Sequence, residues 1–329
     1  MRDYVIKRLL LTIPTLLLVT FLIYTMVYLI PGDIIDVMMT ADITGKRSIG
    51  FDRPALERKL GLDAPLIVQY GRWMGVAPQM DGSFSGIFQG DLGDSWWSKM
   101  PVTEIIALKW PVTLELGLMG LIIAQLIALP IGIYSALRQD TWSDYIGRSF
   151  AILCIAVPGF WLGTLVVVFP AIWWGYMPPI MLIPFFEDPI GNLRMFIVPA
   201  TILGMALAGV TMRMTRTMML EVLRQDYIRT AWAKGLRERV VVLRHALKNA
   251  LIPVVTIIGL QASVTLGGTV IIEQIFCLPG MGRLLLDSFT LRDYGLTNGT
   301  VFLFAGALLL INLIVDLTYG FLDPRVQYR

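Results

Sequence analysis

Gln225 to Pro253 reads QDYIRTAWAKGLRERVVVLRHALKNALIP, a basic, amphipathic island between two long apolar runs. With Arg224 one position upstream, it carries Arg229, Lys234, Arg237, Arg239, Arg244 and Lys248, seven of the 27 Lys and Arg residues of the chain. A segment this polar does not lie in hydrocarbon, where no water satisfies it. The flanking runs therefore read as membrane spans. The island between them reads as a long loop in water, on the face where basic residues collect, and as a candidate docking surface.

Composition supports the same class. Of 329 residues, 56% are hydrophobic and 16% charged, and mean hydropathy is +0.70. A soluble domain has about 45–50% apolar and about 25% charged residues. The apolar excess comes in blocks near the length of about 20 residues that a helix needs to cross a bilayer. The expected fold is all-α, a polytopic membrane protein of about six transmembrane helices. A net charge of +3 is too small to point to nucleic acid. Cys154 and Cys277 stand in no metal-ligand spacing, and the lone His245 builds neither a metal site nor a proton relay. The N-terminal run is longer than the apolar core of a signal peptide, about 7–15 residues, and ends in Pro31-Gly32-Asp33. It reads as an uncleaved first span.

Six spans fit: residues 9–30, 112–136, 148–173, 196–220, 251–276 and 300–320. Pro130, Pro158 and Pro170 fall inside or near them and read as kinks, since neighbouring helices re-satisfy the freed carbonyls. Orientation follows from Lys and Arg in short loops. With the N-terminus inside, the cytoplasmic segments hold Arg2, Lys7 and Arg8, then Arg138 and Arg148. The island adds nine, Arg213 and Arg216 among them, and the C-terminus adds Arg325 and Arg329. The two short outside loops hold Arg194, Arg283 and Arg292. Both termini are therefore expected in the cytoplasm. The first outside loop, 31–110, is too long for a plain connector. It carries helix-like pieces at 54–60 and 66–73, then a glycine-rich stretch over 82–94. It serves as a loose cap or as a docking or gating surface, and the sequence leaves both readings open.

Within the island, which occupies 221–250, Asp226 is placed to cap a short helix over 227–234. Gly235 then ends it, as glycine does where the chain turns left-handed. Thr230, Ala231 and Ala233 give that helix a small-residue face. A second helix runs from about Arg237 into the fifth span. Val240, Leu243, Leu247, Ala250 and Leu251 share its apolar side, toward lipid or neighbouring spans. Arg237, Arg244 and Lys248 share its basic side. In the fifth span Gly259, Ser263 and Gly267 recur every four residues, a pattern that lets helices approach closely. They serve packing within the chain, or contact with a partner, or the translocation pathway. Glu115, Glu273 and Asp316 are acids near span ends. They are functional candidates, with structural pairing the competing reading.

Ala231-x3-Gly235, followed by Leu247 and a later proline, resembles the cytoplasmic-loop motif of binding-protein-dependent ABC importer permeases. DYIRTAWAKGL with HALKNALIP is similar to the dipeptide, oligopeptide and nickel branch. Three more stretches carry the likeness, which covers nearly the whole chain. They are LERKLGLDAPLIVQYGRW with Gly90-Asp-Leu-Gly-Asp-Ser, then GTVIIEQIFCLPGMGRLLL from Gly268, then Leu322-Asp-Pro-Arg-Val. Arg229, Thr230 and Ala231 stand where the general motif has an acid and two alanines. Lys248 stands where it has a proline, which here comes at Pro253. Both departures look like the peptide branch. Residues 75–89 have no counterpart in the pattern.

The resemblance implies a type I importer permease in a bacterial or archaeal inner membrane. It would form half of a pathway for peptides or peptide-like solutes. Its partners would be a second homologous permease, two cytoplasmic ATPase subunits and an extracytoplasmic solute-binding protein. Tyr227, Arg229, Thr230, Ala231, Ala233, Lys234 and Gly235 would meet an ATPase, and ATP and Mg would bind there. This chain itself would carry no cofactor or metal and catalyse nothing. It has no G-x-x-x-x-G-K-[ST] loop, since Gly45-Lys46-Arg47-Ser48 lacks the spacing. The alternative is a stand-alone secondary transporter. That predicts internal repeats and ionisable groups at mid-span, and neither is evident. An intramembrane protease would need His245 in the membrane.

Overall fold

The computed structural model describes residues 2–29, 32, 35–37, 53–176, 179 and 181–322. Gly45–Ser48, residues 323–326 of the C-terminal motif, Arg325 and Arg329 lie outside them, as do the side chains of Arg2, Lys7 and Arg8. Among the described residues the structure is helical, with no strand beyond one isolated bridge between Asp94 and Pro101. The helices are α1 (Arg2–Leu29), α2 (Arg53–Leu60), α3 (Leu66–Met74), α4 (Val102–Leu137), α5 (Trp142–Ala156), α6 (Gly159–Trp174) and α7 (Pro189–Leu223). After them come α8 (Asp226–Ala233), α9 (Glu238–Ile275), α10 (Met281–Thr290) and α11 (Tyr294–Leu322). The pieces expected at 54–60 and 66–73 are α2 and α3.

Five helices, α1, α4, α7, α9 and α11, are long and apolar enough to cross a membrane. The expected third span is not one helix. It is the pair α5 and α6, bent by 87°. Pro158 breaks it and does not merely kink it. Proline lacks an N–H and pushes the preceding residue out of the helical region. Val157 accordingly sits at φ −84°, ψ 119°, and Pro158 caps the start of α6. Pro130 and Pro170 remain inside helices, as expected.

The chain divides into two compact units. One comprises Val112–Gly282 with the described parts of Met1–Val5 and Leu310–Arg329. Its centre is α7, which starts on Pro189 behind an Asp188 whose side chain accepts from Gly191 N at 2.9 Å. Three buried clusters follow the length of α7. Leu116, Phe196, Ile272 and Leu278 meet at one level, and Ala124, Ala151, Cys154 and Ala208 at the next. Ala136, Met219, Ile228 and Val242 meet at the third. Burying such side chains contributes about 25 cal/mol per Å² of apolar surface where water is the competitor. In the membrane their tight fit stabilises the unit through dispersion contacts instead.

The other unit comprises Ile6–Pro111 and Arg283–Leu309. Aromatic rings of Phe21, Tyr24, Tyr70 and Trp73 pack together there, and Thr20 Oγ1 lies 3.0 Å from Tyr70 Oη. Asp293, nearly inaccessible, caps the start of α11. It also accepts from Ser95 Oγ at 2.6 Å and Trp96 N at 3.1 Å, which holds the 90–101 stretch on that helix end.

Candidate functional site

The island forms α8 and the start of α9. Asp226 is not the cap of α8. Gln225 holds that position, without a side-chain cap, and Asp226 is the first helical residue. Its carboxylate points to water, 3.4 Å from Arg229 Nη1. Either placement sets an acid against the helix dipole, so the sequence signal was real but one position off. Gly235 ends the helix as expected, at φ 73°. Gly235 N donates to Trp232 O at 2.9 Å and Leu236 N to Ala231 O at 3.4 Å. That pair closes the helix end as a Schellman motif, with the left-handed residue that glycine supplies without strain.

Ile228 and Ala231 are the buried residues of α8. They seat on Ala136, Met219, Val241, Val242, Ala246 and Ala250. This corrects the expected small-residue face: Ala231, 7% exposed, turns into its own chain, whereas Thr230 and Ala233 face water. Tyr227, Arg229, Trp232, Lys234 and Gly235 are exposed beside them. The sequence reading missed Trp232, the largest exposed side chain of the knob. Spacing had the signal, because Ile228 and Ala231 lie three apart and one turned inward turns Trp232 out. Asn249 Nδ2 donates to Tyr227 Oη at 2.8 Å and ties α8 to α9.

The second island helix forms, with an altered face. Val241–Ala246 is a π-helical turn. It takes about one more residue per turn than an α-helix and so rotates the residues beyond it about the helix axis. Val241, Val242, Ala246 and Ala250 are the buried residues of this stretch. Val240 and Leu243, expected on the apolar side, are exposed. Leu247 and Leu251 are half-buried. Arg237, Arg244 and Lys248 stay exposed, and His245 is half-buried and, among the described residues, belongs to no metal-binding cluster.

Arg213 and Arg216 belong to α7 and not to the loop. Arg216 meets the inaccessible Asp144 of α5 with Nε and Nη2, both at 2.7 Å. Ser135 Oγ and Asp140 N also donate to Asp144, and Arg148 Nε stands 3.6 Å away. This two-pronged arrangement locks the α4–α5 turn to α7. No sequence spacing announces it, since the partners are 72 residues apart.

The remaining candidates do not gather at one place. Gly259 lies against Val315, which a side chain there would meet at 2.9 Å, and Ser263 Oγ donates to Asn312 at 2.8 Å. Those two pack α9 on α11 within the chain, while Gly267 faces open space. Glu273 is fully buried and accepts from Thr113 Oγ1 at 2.6 Å and Gly282 N at 2.7 Å. Thr113 Oγ1 in turn accepts from Met281 N at 2.7 Å. Gly280 lies so close to the Glu273 carboxylate that a side chain would displace it. Glu273 thus clasps the α9–α10 turn onto α4. Glu115 is half-buried beside Asn192, and Asp316 is half-buried on α11. Among the described residues, no cluster of His, Cys, Asp or Glu could hold a metal. What the island presents is a short helix, seated by two buried side chains against the start of α9 and its neighbours.

Two family models match the chain. One, an N-terminal membrane component of binding-protein-dependent transport systems, matches residues 1–117. The other, the binding-protein-dependent transport system inner membrane component, matches residues 128–328. A putative peptide transport system permease protein of Brucella abortus is 38% identical over 328 residues, covering all of both chains. The glutathione transport system permease protein GsiC of Salmonella paratyphi A is 39% identical over 329 residues, again covering both in full. Among solved structures, the inward-facing MetNI methionine ABC transporter matches with a TM-score of 0.54 at 15% identity. It covers 67% of this chain and 96% of that one. An amino acid ABC transporter matches with a TM-score of 0.51 at 13% identity, covering 66% and 94%. At those identities the likeness is one of fold.

Proposed function

The chain belongs to the inner membrane components of binding-protein-dependent transport systems, and from that premise we propose that it carries short peptides, glutathione among them, driven by ATPase subunits that grip α8. It is a multi-pass permease subunit of an ABC transporter, not an enzyme, and the reading as a stand-alone secondary transporter gives way to this one. The named cargoes of its full-length relatives support the peptide reading. In the assembly a second homologous permease completes the pathway. An extracytoplasmic binding protein delivers cargo to the side of the 31–110 segment. Two cytoplasmic ATPases hold ATP and Mg, and this chain holds no cofactor. Both termini lie in the cytoplasm.

One observation carries the coupling. α8 is attached through Ile228 and Ala231 and offers Tyr227, Arg229, Thr230, Trp232, Ala233, Lys234 and Gly235 outward. A helix held this way transmits a push to α9 without unfolding. ATPase closure then biases the spans between inward and outward access, a two-state switch driven by differential contacts. Gly259, Ser263, Gly267, Glu115 and Glu273 serve helix packing more than cargo in this reading. A single cysteine at Lys234 tests the orientation: a membrane-impermeant maleimide should label it in inside-out vesicles and spare it in right-side-out ones. Labelling from outside would reverse the whole topology.

A further inference from the structure

Within the unit built on α7, a groove of about 330 Å³ opens between α4, α9 and α11. The coupling mechanism does not use it. Leu121 of α4, Val255 and Ile258 of α9, and Ile311 and Ile314 of α11 form its walls, and none of its lining residues is charged. Thr256 and Thr318 are the polar ones, and the Thr318 hydroxyl donates to Ile314 O at 2.7 Å. A peptide or another polar solute finds no set of hydrogen-bond partners there, and burying it unpaired is costly.

A second helix fits no better. One helical turn with its side chains is about 10 Å wide and about 5.4 Å long, more than this space holds. Gly259, the glycine of the lining, is already covered by Val315, so close approach to another backbone is used up inside the chain. A single acyl chain is thin, flexible and apolar, and such a slot takes it.

The same face of α9 carries the charge for a headgroup. From Leu247 onward that helix is regular, so residues 248, 252, 255, 259 and 262, spaced by three and four, share one side. Lys248 and Ile252 are exposed at the foot of this stripe, and Val255, Gly259 and Ala262 line the groove above them. Arg244, one turn before Lys248, is exposed as well, and Glu238 at the helix start is taken by Arg138 at 3.8 Å. From Lys248 to Ala262 the helix rises about 21 Å at about 1.5 Å per residue. One leaflet contributes about 15 Å of hydrocarbon, half of a core of about 30 Å. Ala262 lies near the middle of the 251–276 span. Lys248 therefore comes to the level of the phosphates, and the groove falls inside that one leaflet.

We propose that this groove holds one acyl chain of an anionic phospholipid of the inner leaflet, with its phosphate on Lys248 and Arg244. Lysine and arginine stems lie along apolar surface while their charges reach the headgroups, and basic residues at the cytoplasmic end of a helix pair favour anionic ones. A zwitterionic lipid has the same chain, but its own cation offsets the phosphate. The orientation proposed above enters only in naming the leaflet. Labelling of Lys234 from outside would move the lipid to the other leaflet and leave the groove and its charges as they are.

The full-length chain in detergent, titrated with dioleoylphosphatidylglycerol and read by native mass spectrometry, tests the site. One phosphatidylglycerol should bind about tenfold more tightly than dioleoylphosphatidylcholine. Arg244→Gln combined with Lys248→Gln should remove that preference, and Lys248→Arg should keep it. Ala262→Leu fills the groove from its floor and Ile314→Trp from its exposed rim. Each should lower phosphatidylglycerol affinity about tenfold with both charges in place. The two are independent, so a folding defect in one leaves the other to decide. Equal binding of the two lipids, or a preference that survives loss of both charges, would overturn the proposal. Tight binding to a chain with a filled groove would overturn it as well, and would leave only diffuse attraction at the membrane surface. In the assembled transporter, a cysteine at Ile314 that cross-links to another subunit would give the groove to that subunit and defeat the lipid assignment. That outcome leaves the peptide-permease reading untouched.

Discussion

The two ends of α9 are anchored in opposite ways. Its start lies under α8, held in the main by apolar contact between Ile228, Ala231, Val241, Val242 and Ala246, with one exposed hydrogen bond from Asn249 to Tyr227 beside it. Its end is held by Glu273, a fully buried side chain that takes hydrogen bonds from Thr113 and Gly282. Apolar contact is non-directional and survives a small slide. Hydrogen bonds fail within an ångström or so of misplacement and leave costly orphans. Under the coupling proposed above, the start of α9 is the end that would shift, and Glu273 fixes the turn between α9 and α10. The π turn at Val241–Ala246 lies at the α8 end of α9.

Breaking the fixed end should have the largest effect. Glu273→Ala strands the Thr113 hydroxyl and the Gly282 amide, a loss of about 2–6 kcal/mol for two buried orphans. The thermal midpoint of the purified chain in detergent should fall sharply, and Glu273→Gln should recover part of it. A midpoint that does not shift in Glu273→Ala would erase the contrast between the ends.

Ala231→Glu attacks the movable end. It pushes a charge into the α8 seat, at about 1–3 kcal/mol locally. The chain should still insert, while transport-coupled ATP hydrolysis in the assembly is lost. Normal coupled turnover would show that the seat transmits nothing. Gly235→Val is milder. A β-branched residue at φ 73° costs about 1–3 kcal/mol and should loosen α8 without emptying its seat, so coupling should drop only in part. Trp232→Ala sharpens the comparison most finely. At 44% exposure it should change chain stability by less than about 0.5 kcal/mol and yet depress ATPase stimulation, because its ring faces outward. An unaffected stimulation would move the contact elsewhere on α8.

Much of this was legible in one dimension. The spans, the α2 and α3 pieces, the short helix and its Gly235 stop all rest on local rules: run length, turn chemistry and the steric freedom of glycine. The Pro158 break was visible as a residue and misjudged as a kink, because a proline's effect depends on whether neighbours re-satisfy the freed carbonyls. Asp226 was read one position off for a similar reason, since helix ends fray and an acid suits either place. The site residues split along the same line. The family resemblance pointed to most of the exposed residues of α8, but it passed over Trp232 and counted Ala231, which turns inward, among them.

By itself, then, the sequence determined that the chain is a multi-pass membrane protein, the number of its candidate spans to within the broken third one, and the basic segment that separates two of them. Hydropathy and chain stiffness settle those matters locally. Only the tertiary structure decided which residues face inward on α8 and α9, that Arg216 closes on Asp144, and that Glu273 is a clasp. Each of these depends on groups many residues apart meeting at hydrogen-bond distance, and on a π turn whose extra residue rotates a face by packing forces that no local pattern records.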